Sequence, residues 1–319
     1  MTKKDNQEYP PMDVSKLSTF PTAQRQHKVD LAALAKLPEK GATLEEFFNS
    51  FPDFLGARQL RQLAEVIAAA VHKGRPVFFA MGAHVIKVGC SPIIIDLMRR
   101  GVLSGIALNG AGGIHDFEMA LAGQTSEDVG ANLNEGKFGM TEEAPEILAE
   151  AARRGSAEQL GLAGALGKII NERELPHRET SLLAAADKYG KLSTMHVALG
   201  TDTVHMHPQA DGAEIGNSSL IDFRRICSAV ADLAEGGVWV NIGSAVVLPE
   251  VFLKAVSVAR NLGANLDEMY TANLDMISHY RPQQNVLARP VRKGNSFMII
   301  GHHEITLPLL RMWLLQLLG

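Results

Sequence analysis

From Arg58 onward the apolar positions fall into two alternating patterns. The segment LRQLAEVIAAAVHKG is apolar at helical spacing and closes on Gly74, and RPVFFAMGAHV is a short continuous apolar run ending in small residues. The first pattern predicts a helix, the second a buried strand followed by a turn. IIIDLMRRG repeats the helix and ends at Gly101, while GIALNGAGG repeats the strand and runs into a cluster of glycines. A right-handed crossover between two such strands brings both strand ends to one edge of a parallel sheet. Further strands are predicted at Leu192–Leu199, Gly237–Ile242, Glu268–Ala272 and Ser296–Ile300, with helices at about Leu220–Ala234 and Pro249–Leu262. Strands alternating with helices over this length predict an α/β fold, a Rossmann-like doubly wound, mostly parallel sheet with helices on both faces.

Two regions interrupt the alternation. Residues 1–28 are polar and punctuated by proline, followed by short helices at about Leu31–Leu37 and Thr43–Phe51, so residues 1–56 read as an arm with little core of its own. Residues 57–319 then form the single Rossmann-like domain. The stretch from Asp116 to Gly139 is polar and dotted with glycine, with helices predicted at Thr141–Arg154 and Ser156–Glu172, so about 117–175 reads as an insertion packed on the sheet.

Composition narrows the classes of function. With 46% hydrophobic residues in 319, the chain has material for a large core. A net charge of −4 with both signs interspersed leaves no basic footprint for nucleic acid, so a small-molecule ligand is the expectation. Two cysteines, Cys90 and Cys227, form no disulfide framework or thiolate metal spacing, which fits a reducing cytoplasm. The opening MTKKDNQEYPPMDV lacks an apolar stretch behind its lysines, and no run approaches the ~18 apolar residues of a membrane helix, so neither secretion nor membrane insertion is expected.

In open α/β sheets ligands bind beyond the carboxyl ends of the strands. The residues there are Gly82-Ala83-His84, then Asn109-Gly110-Ala111-Gly112-Gly113-Ile114-His115-Asp116, then Gly200-Thr201-Asp202 with His205 and His207. Gly243-Ser244-Ala245, Asn273 with Asp275, and Gly301-His302-His303-Glu304 follow the later strands. Glycines after the second strand allow close approach of a ligand, and a helix starting there would aim amides and its positive end at a phosphate. A turn that merely needs glycine is the plainer reading. Asp116 and Glu118, two residues apart, could place one carboxylate in the site, and Asp116 beside His115 is the preferred carboxylate and histidine pair for proton transfer, against the alternative that Asp116 caps a helix. Lys87 is placed to meet an anion or to sit solvated on a helix face. His205, His207, His302, His303, Asp116 and Asp202 carry metal-ligand chemistry, but no H-E-x-x-H helix is present, and no metal is expected.

The order of these segments resembles the deoxyhypusine synthase family, NAD-dependent enzymes that move an aminobutyl group from spermidine to a protein lysine. The resemblance rests on FFAMGAHVIKVGCSPIIIDLMRRGVLSGIALNGAGGIHDFEMALA, where the family shows a T-A-G-G-[VI]-E-x-D turn, and on SLLAAADKYGKLSTMHVALGTD, GGVWVNIGSAVVLPEVFLKAVSVARNLGA and ITLPLL. It implies NAD as cofactor, bound by His84, Lys87, Asn109, Gly110, Ala111, Gly112, Asn273, Gly301 and His302, with Asp116 and His303 beside them, and a homotetramer with the N-terminal arm near a neighbour's site. The family's lysine segment, G-G-G-x-x-K-H-H, corresponds to Gly243-Ser244-Ala245-Val246-Val247-Leu248-Pro249-Glu250, with Leu248 where the nucleophile would be. Its G-x-x-P-D-E-A-x-S-W-G-K segment corresponds to MISHYRPQQNVLARP.

The reading that follows is an NAD-binding enzyme acting on a small polar substrate other than spermidine, with Asp116, His115 and His303 as proton-transfer groups. The alternatives are a metal-assisted hydrolase or sugar-phosphate isomerase using His205, His207, His302 and Asp202, and a non-catalytic nucleotide-binding protein.

Overall fold

A computed structural model describes residues 9–319. The residues MTKKDNQE, on which part of the expectation of no leader rests, lie outside that range. Six strands pair in parallel, β1 (Val77–Met81), β2 (Gly105–Asn109), β3 (Leu192–His196), β4 (Val238–Ile242), β5 (Tyr270–Asp275) and β6 (Ser296–Ile300), in the order β3-β2-β1-β4-β5-β6. This is the doubly wound order in which the chain builds outward from the middle of the sheet, then returns and builds the other way. The helices are α1 (Leu44–Asn49), α2 (Leu55–His72), α3 (His84–Lys87), α4 (Ser91–Arg99), α5 (Gly110–Ala122), α6 (Val129–Leu133) and α7 (Glu143–Ala157). They continue with α8 (Gly161–Glu172), α9 (Leu182–Lys188), α10 (Gly212–Ala231), α11 (Val247–Asn261), α12 (Tyr280–Pro282) and α13 (His303–Leu318).

Every residue of β1 and β4 is buried, as expected of central parallel strands covered on both faces. Successive side chains alternate between the faces. Phe79, Met81, Ile106, Leu108 and Met195 pack with Leu97, Ile114, Leu166 and Leu183 of α4, α5, α8 and α9. Phe78, Ala80 and Trp239 pack on the other side with Ile226 of α10 and Phe252 of α11, the Trp239 and Phe252 rings stacked 4.5 Å apart. Thus the chain leaves β1 toward one face and β4 toward the other, which makes the β1/β4 boundary the topological switch point.

The fold departs from the sequence reading in particular places. The glycine cluster after β2 is not a loop: α5 begins at Gly110 and continues through the polar stretch to Ala122. Helix α9, absent from the expected elements, fills Leu182–Lys188. Helix α10 starts at Gly212, well before Leu220, because the Asp211 carboxylate accepts from the Ala213 and Glu214 amides. Its early turns are polar because they bond inward: Ser219 Oγ donates to the Met195 carbonyl at 3.0 Å. Strand β5 runs on to Asp275 and β3 stops at His196. Helix α1 is tied to the body through Phe48, 4% exposed and stacked on Trp313 at 4.5 Å. Among the described residues no helix is long and apolar enough to cross a membrane.

Candidate functional site

The strand ends at the switch point touch through glycine. The Gly82 amide donates to the Ile242 carbonyl at 2.9 Å, and a Cβ on Gly82 would stand 2.1 Å from the Gly243 carbonyl oxygen. Gly243 adopts φ +61°, a left-handed conformation, and a Cβ there would lie 2.6 Å from Nε2 of His303. Two glycines are therefore required where the β1 and β4 turns and the first residue of α13 converge. His303 is 1% exposed and its Nδ1 has no hydrogen-bond partner; the His84 ring stands 6.0 Å away, edge to face. Burial pulls the His303 pKa below the ordinary histidine value, with Asp275 acting in the opposite sense and His84 in the same one. On β4 and β5, the Asn241 side-chain amide donates to Asn273 Oδ1 at 2.7 Å and to the Ser244 carbonyl at 2.9 Å, holding Asn273 buried beneath the turns. Gly301 donates to the Asp275 carbonyl, and His302 is largely exposed beside Glu304. Leu248 points into the core under α11 with no exposed surface, its amide donating to Ser244 Oγ.

Beside this crevice, over the ends of β1 and β2, lies a cavity of about 250 Å³ lined by Lys87, Ala111, His115, Glu118, Phe138 and Asp202, among others. Asn109 caps α5, its Oδ1 accepting from the Gly112 amide at 3.0 Å. The amino end of α5 already faces a carboxylate: Asp202 lies against it beside the Ala111 amide, and a Cβ on Gly110 would lie 2.0 Å from its carboxylate oxygen. At the turn where the sequence suggests a phosphate, the position favoured by the helix dipole is thus lined by the protein's own carboxylate. Burial still raises the Asp202 pKa, outweighing His205 and the Ala111 amide.

His115 lies on the cavity wall, and its partner is not Asp116. Nδ1 of His115 is 2.5 Å from Thr125 Oγ1 and 3.4 Å from Glu118 Oε2, and Thr125 Oγ1 donates to Glu118. Burial works to raise the Glu118 pKa, but the bonds from His115 and Thr125 outweigh it and hold the carboxyl below the usual range. Thr125 faces a second cavity of about 370 Å³ on the far side of Glu118. Asp116 points the other way along α5. It has no exposed surface, and its carboxylate accepts from Ser181 Oγ at 2.6 Å and from the Leu182 and Leu183 amides at 2.7 and 3.1 Å. It anchors the start of α9, a helix-capping role filled across 65 residues of chain rather than on its own helix. The proton-transfer role expected of Asp116 therefore has no open face; of the two carboxylates the sequence offered it is Glu118, the one ranked second, that stands by His115, and Thr125 is the partner that pattern alone passed over. Glu118 was visible at i+3 from His115 on a helix; Thr125 has no sequence signal, since the connection after Gly123 turns it back.

The remaining histidines are spent on loops. His205 Nδ1 accepts from the Gly200 and Asp202 amides, and His207 Nε2 bonds the Gly139 carbonyl at 2.8 Å. No group of three or more His, Cys, Asp or Glu side chains suited to a metal occurs among the described residues.

No family model matches the sequence, and no curated protein does. Solved structures share the fold. A conserved protein assigned as LOR/SDH from Methanococcus maripaludis S2 matches over 97% of this chain and 76% of its own, with TM-score 0.52 and 14% identity. Unliganded AgrE matches over 81% of this chain with TM-score 0.52 and 13% identity, and the chain spans 32% of AgrE, about a third of its length. A protein assigned as a deoxyhypusine synthase from Entamoeba histolytica matches over 85% of this chain and 92% of its own, with 12% identity and TM-score 0.49. The likeness to the first two supports the Rossmann-like fold read from the alternating pattern.

Proposed function

We propose that the chain is an NAD-binding enzyme acting on a small polar substrate, with the dinucleotide lying across the β1/β4 switch point. The observation that carries the reading is the 3-2-1-4-5-6 sheet order with α3 and α11 leaving to opposite faces, the arrangement in which open α/β sheets bind dinucleotides. AgrE, solved in a ternary complex with ornithine and NAD+ at TM-score 0.50 and 15% identity, supports the same cofactor on this fold. The residues at hand suit the task. Lys87 offers a charge, His84, Asn273, Gly301 and His302 surround the β1, β5 and β6 turns, and Asn109, Gly110, Ala111 and Gly112 place the start of α5 beside them. With Asp202 on the Ala111 amide, that end of α5 presents a carboxylate to a hydroxyl or cationic group rather than amides to a phosphate. NAD, when bound, supplies hydride chemistry. The protein's own contribution is proton transfer at His115, on the cavity wall, with His303 buried at the turns. Leu248, lacking a nucleophile and lying in the core, leaves no covalent aminobutyl transfer by an imine route at that position.

The N-terminal arm supports the proposed homotetramer. Met12, Leu17, Leu31 and Leu37 are each more than two-thirds exposed, an apolar series that another copy would cover. Light scattering coupled to gel filtration checks the assembly, a monomer counting against it.

The cofactor is tested by denaturing freshly purified protein and identifying released small molecules by mass spectrometry, followed by calorimetry with NAD. Released or bound NAD supports the proposal; its absence in both experiments refutes it. His115→Asn should retain NAD binding and lose turnover.

A further inference from the structure

The hydrogen-bond chain behind His115 determines which of its ring nitrogens is free. Glu118, held ionised by its neighbours, only accepts. The single hydroxyl proton of Thr125 goes to Glu118 Oε2. Thr125 Oγ1 has no second proton to give, so at 2.5 Å from His115 Nδ1 it accepts, and Nδ1 must carry the ring proton. Nε2 of a neutral imidazole is then the unprotonated nitrogen. It has no protein partner among the described residues, and His115 lines the 250 Å³ cavity while Thr125 lines only the neighbouring one.

We infer that Thr125 and Glu118 are positioning residues that lock His115 in the Nδ1–H tautomer and present Nε2 to the cavity as a proton acceptor. In the reaction the proton leaves a substrate O–H, N–H or C–H for the Nε2 lone pair, and the imidazolium so formed is held by Glu118 through Thr125, with no further co-reactant needed for the proton itself. His115 and Glu118 sit one turn apart on α5, but Thr125 belongs to the connection after Gly123, whose fold is pinned by Glu127 accepting from the Asn132 side chain and the Gly139 amide at 2.9 and 2.8 Å. The relay therefore exists only while that connection lies against α5. The charged groups facing the ring are Lys87 from α3, Glu118 from α5, Glu127 from the connection and Asp202 from the segment after β3. The two carboxylates of Glu127 and Asp202 favour an acceptor site for a substrate that develops positive charge or donates a proton.

The inference deepens the role given to His115 in the proposed function, and its test needs neither cofactor nor substrate. Protein labelled with ¹⁵N-histidine is examined by long-range ¹H–¹⁵N correlation at about pH 8, where a histidine is neutral, the His115 signals being assigned by their loss in His115→Asn. Wild type should show one tautomer, with Nε2 resonating as the unprotonated nitrogen. Thr125→Val, close in shape but unable to bond, should shift both nitrogens toward the averaged position of mixed tautomers, and Thr125→Ser should restore the wild-type pattern. A protonated Nε2 in wild type, or an unchanged pattern in Thr125→Val, overturns the inference. Should Thr125→Val fail to fold, the wild-type spectrum decides alone. Absence of NAD with the expected tautomer would sink the proposed function and leave this relay standing; NAD with the wrong tautomer would do the reverse.

Discussion

Asp116 separates an anchoring role from a chemical one. Replacing it with alanine removes the acceptor for three buried donors, the Ser181 hydroxyl and the Leu182 and Leu183 amides. Each buried donor left unpaired costs roughly 1–3 kcal/mol. Because Ser181 Oγ also accepts from the Ala184 amide at 3.0 Å, the hydroxyl has little freedom to find a new acceptor. The sum is limited by relaxation of the α9 start, and a loss of about 3–5 kcal/mol is expected, the lower part of the range for three such donors. With an unfolding entropy of about 2.1 cal/mol/K per residue over 319 residues, that lowers Tm by roughly 4–8 °C. Asp116→Asn keeps one oxygen but turns an amide donor toward the α9 amides, and should fall between wild type and alanine. Calorimetric melting gives the stability, and NAD calorimetry well below the melting range gives the site. A large Tm drop with unchanged NAD affinity is expected. A variant as stable as wild type, or one that folds normally yet loses NAD binding, would refute the anchoring argument.

Asp222 tests the same physics by pH. It is fully buried, accepts from the Ala163 and Met195 amides at 3.0 and 2.9 Å, and burial pushes its carboxyl up to about 7 from the ordinary 3.8. A raised carboxyl binds its proton more tightly folded than unfolded, so its contribution is whole below the unfolded value and lost as pH rises toward 7, about 4 kcal/mol in all at ~1.36 kcal/mol per unit. Asp222→Asn should flatten the urea-unfolding profile between those limits, and an unaltered slope would count against it. His196, pulled by burial down to about 4, runs the opposite way: its contribution is present above the ordinary 6.5 and lost as pH falls toward 4, so His196→Gln should lose less stability on acidification than wild type. Gly82→Ala drives a methyl into the Gly243 carbonyl and should cost about 1–3 kcal/mol, while unchanged melting would show that the turns can part freely.

Strands β1, β2 and β4 were legible because a central parallel strand covered on both faces is built almost wholly from apolar residues, and the edge strand β6 because it still carries a short apolar run, although its burial alternates. Helices α2, α4 and α11 were legible for the related reason that one face of each is buried at a 3.6-residue period. Helix α9 was not, since LLAAADK is short and its start is held by Asp116 from another helix, an interaction with no local signature. The same reason explains the site. Sequence placed His115, His303 and the glycines at strand ends, because strand ends are local. The partner of His115, the anion at the start of α5 and the burial of Asp116 depend on side chains brought together across tens of residues, where a hydrogen bond responds to distance and direction in space and leaves no periodic trace in the chain.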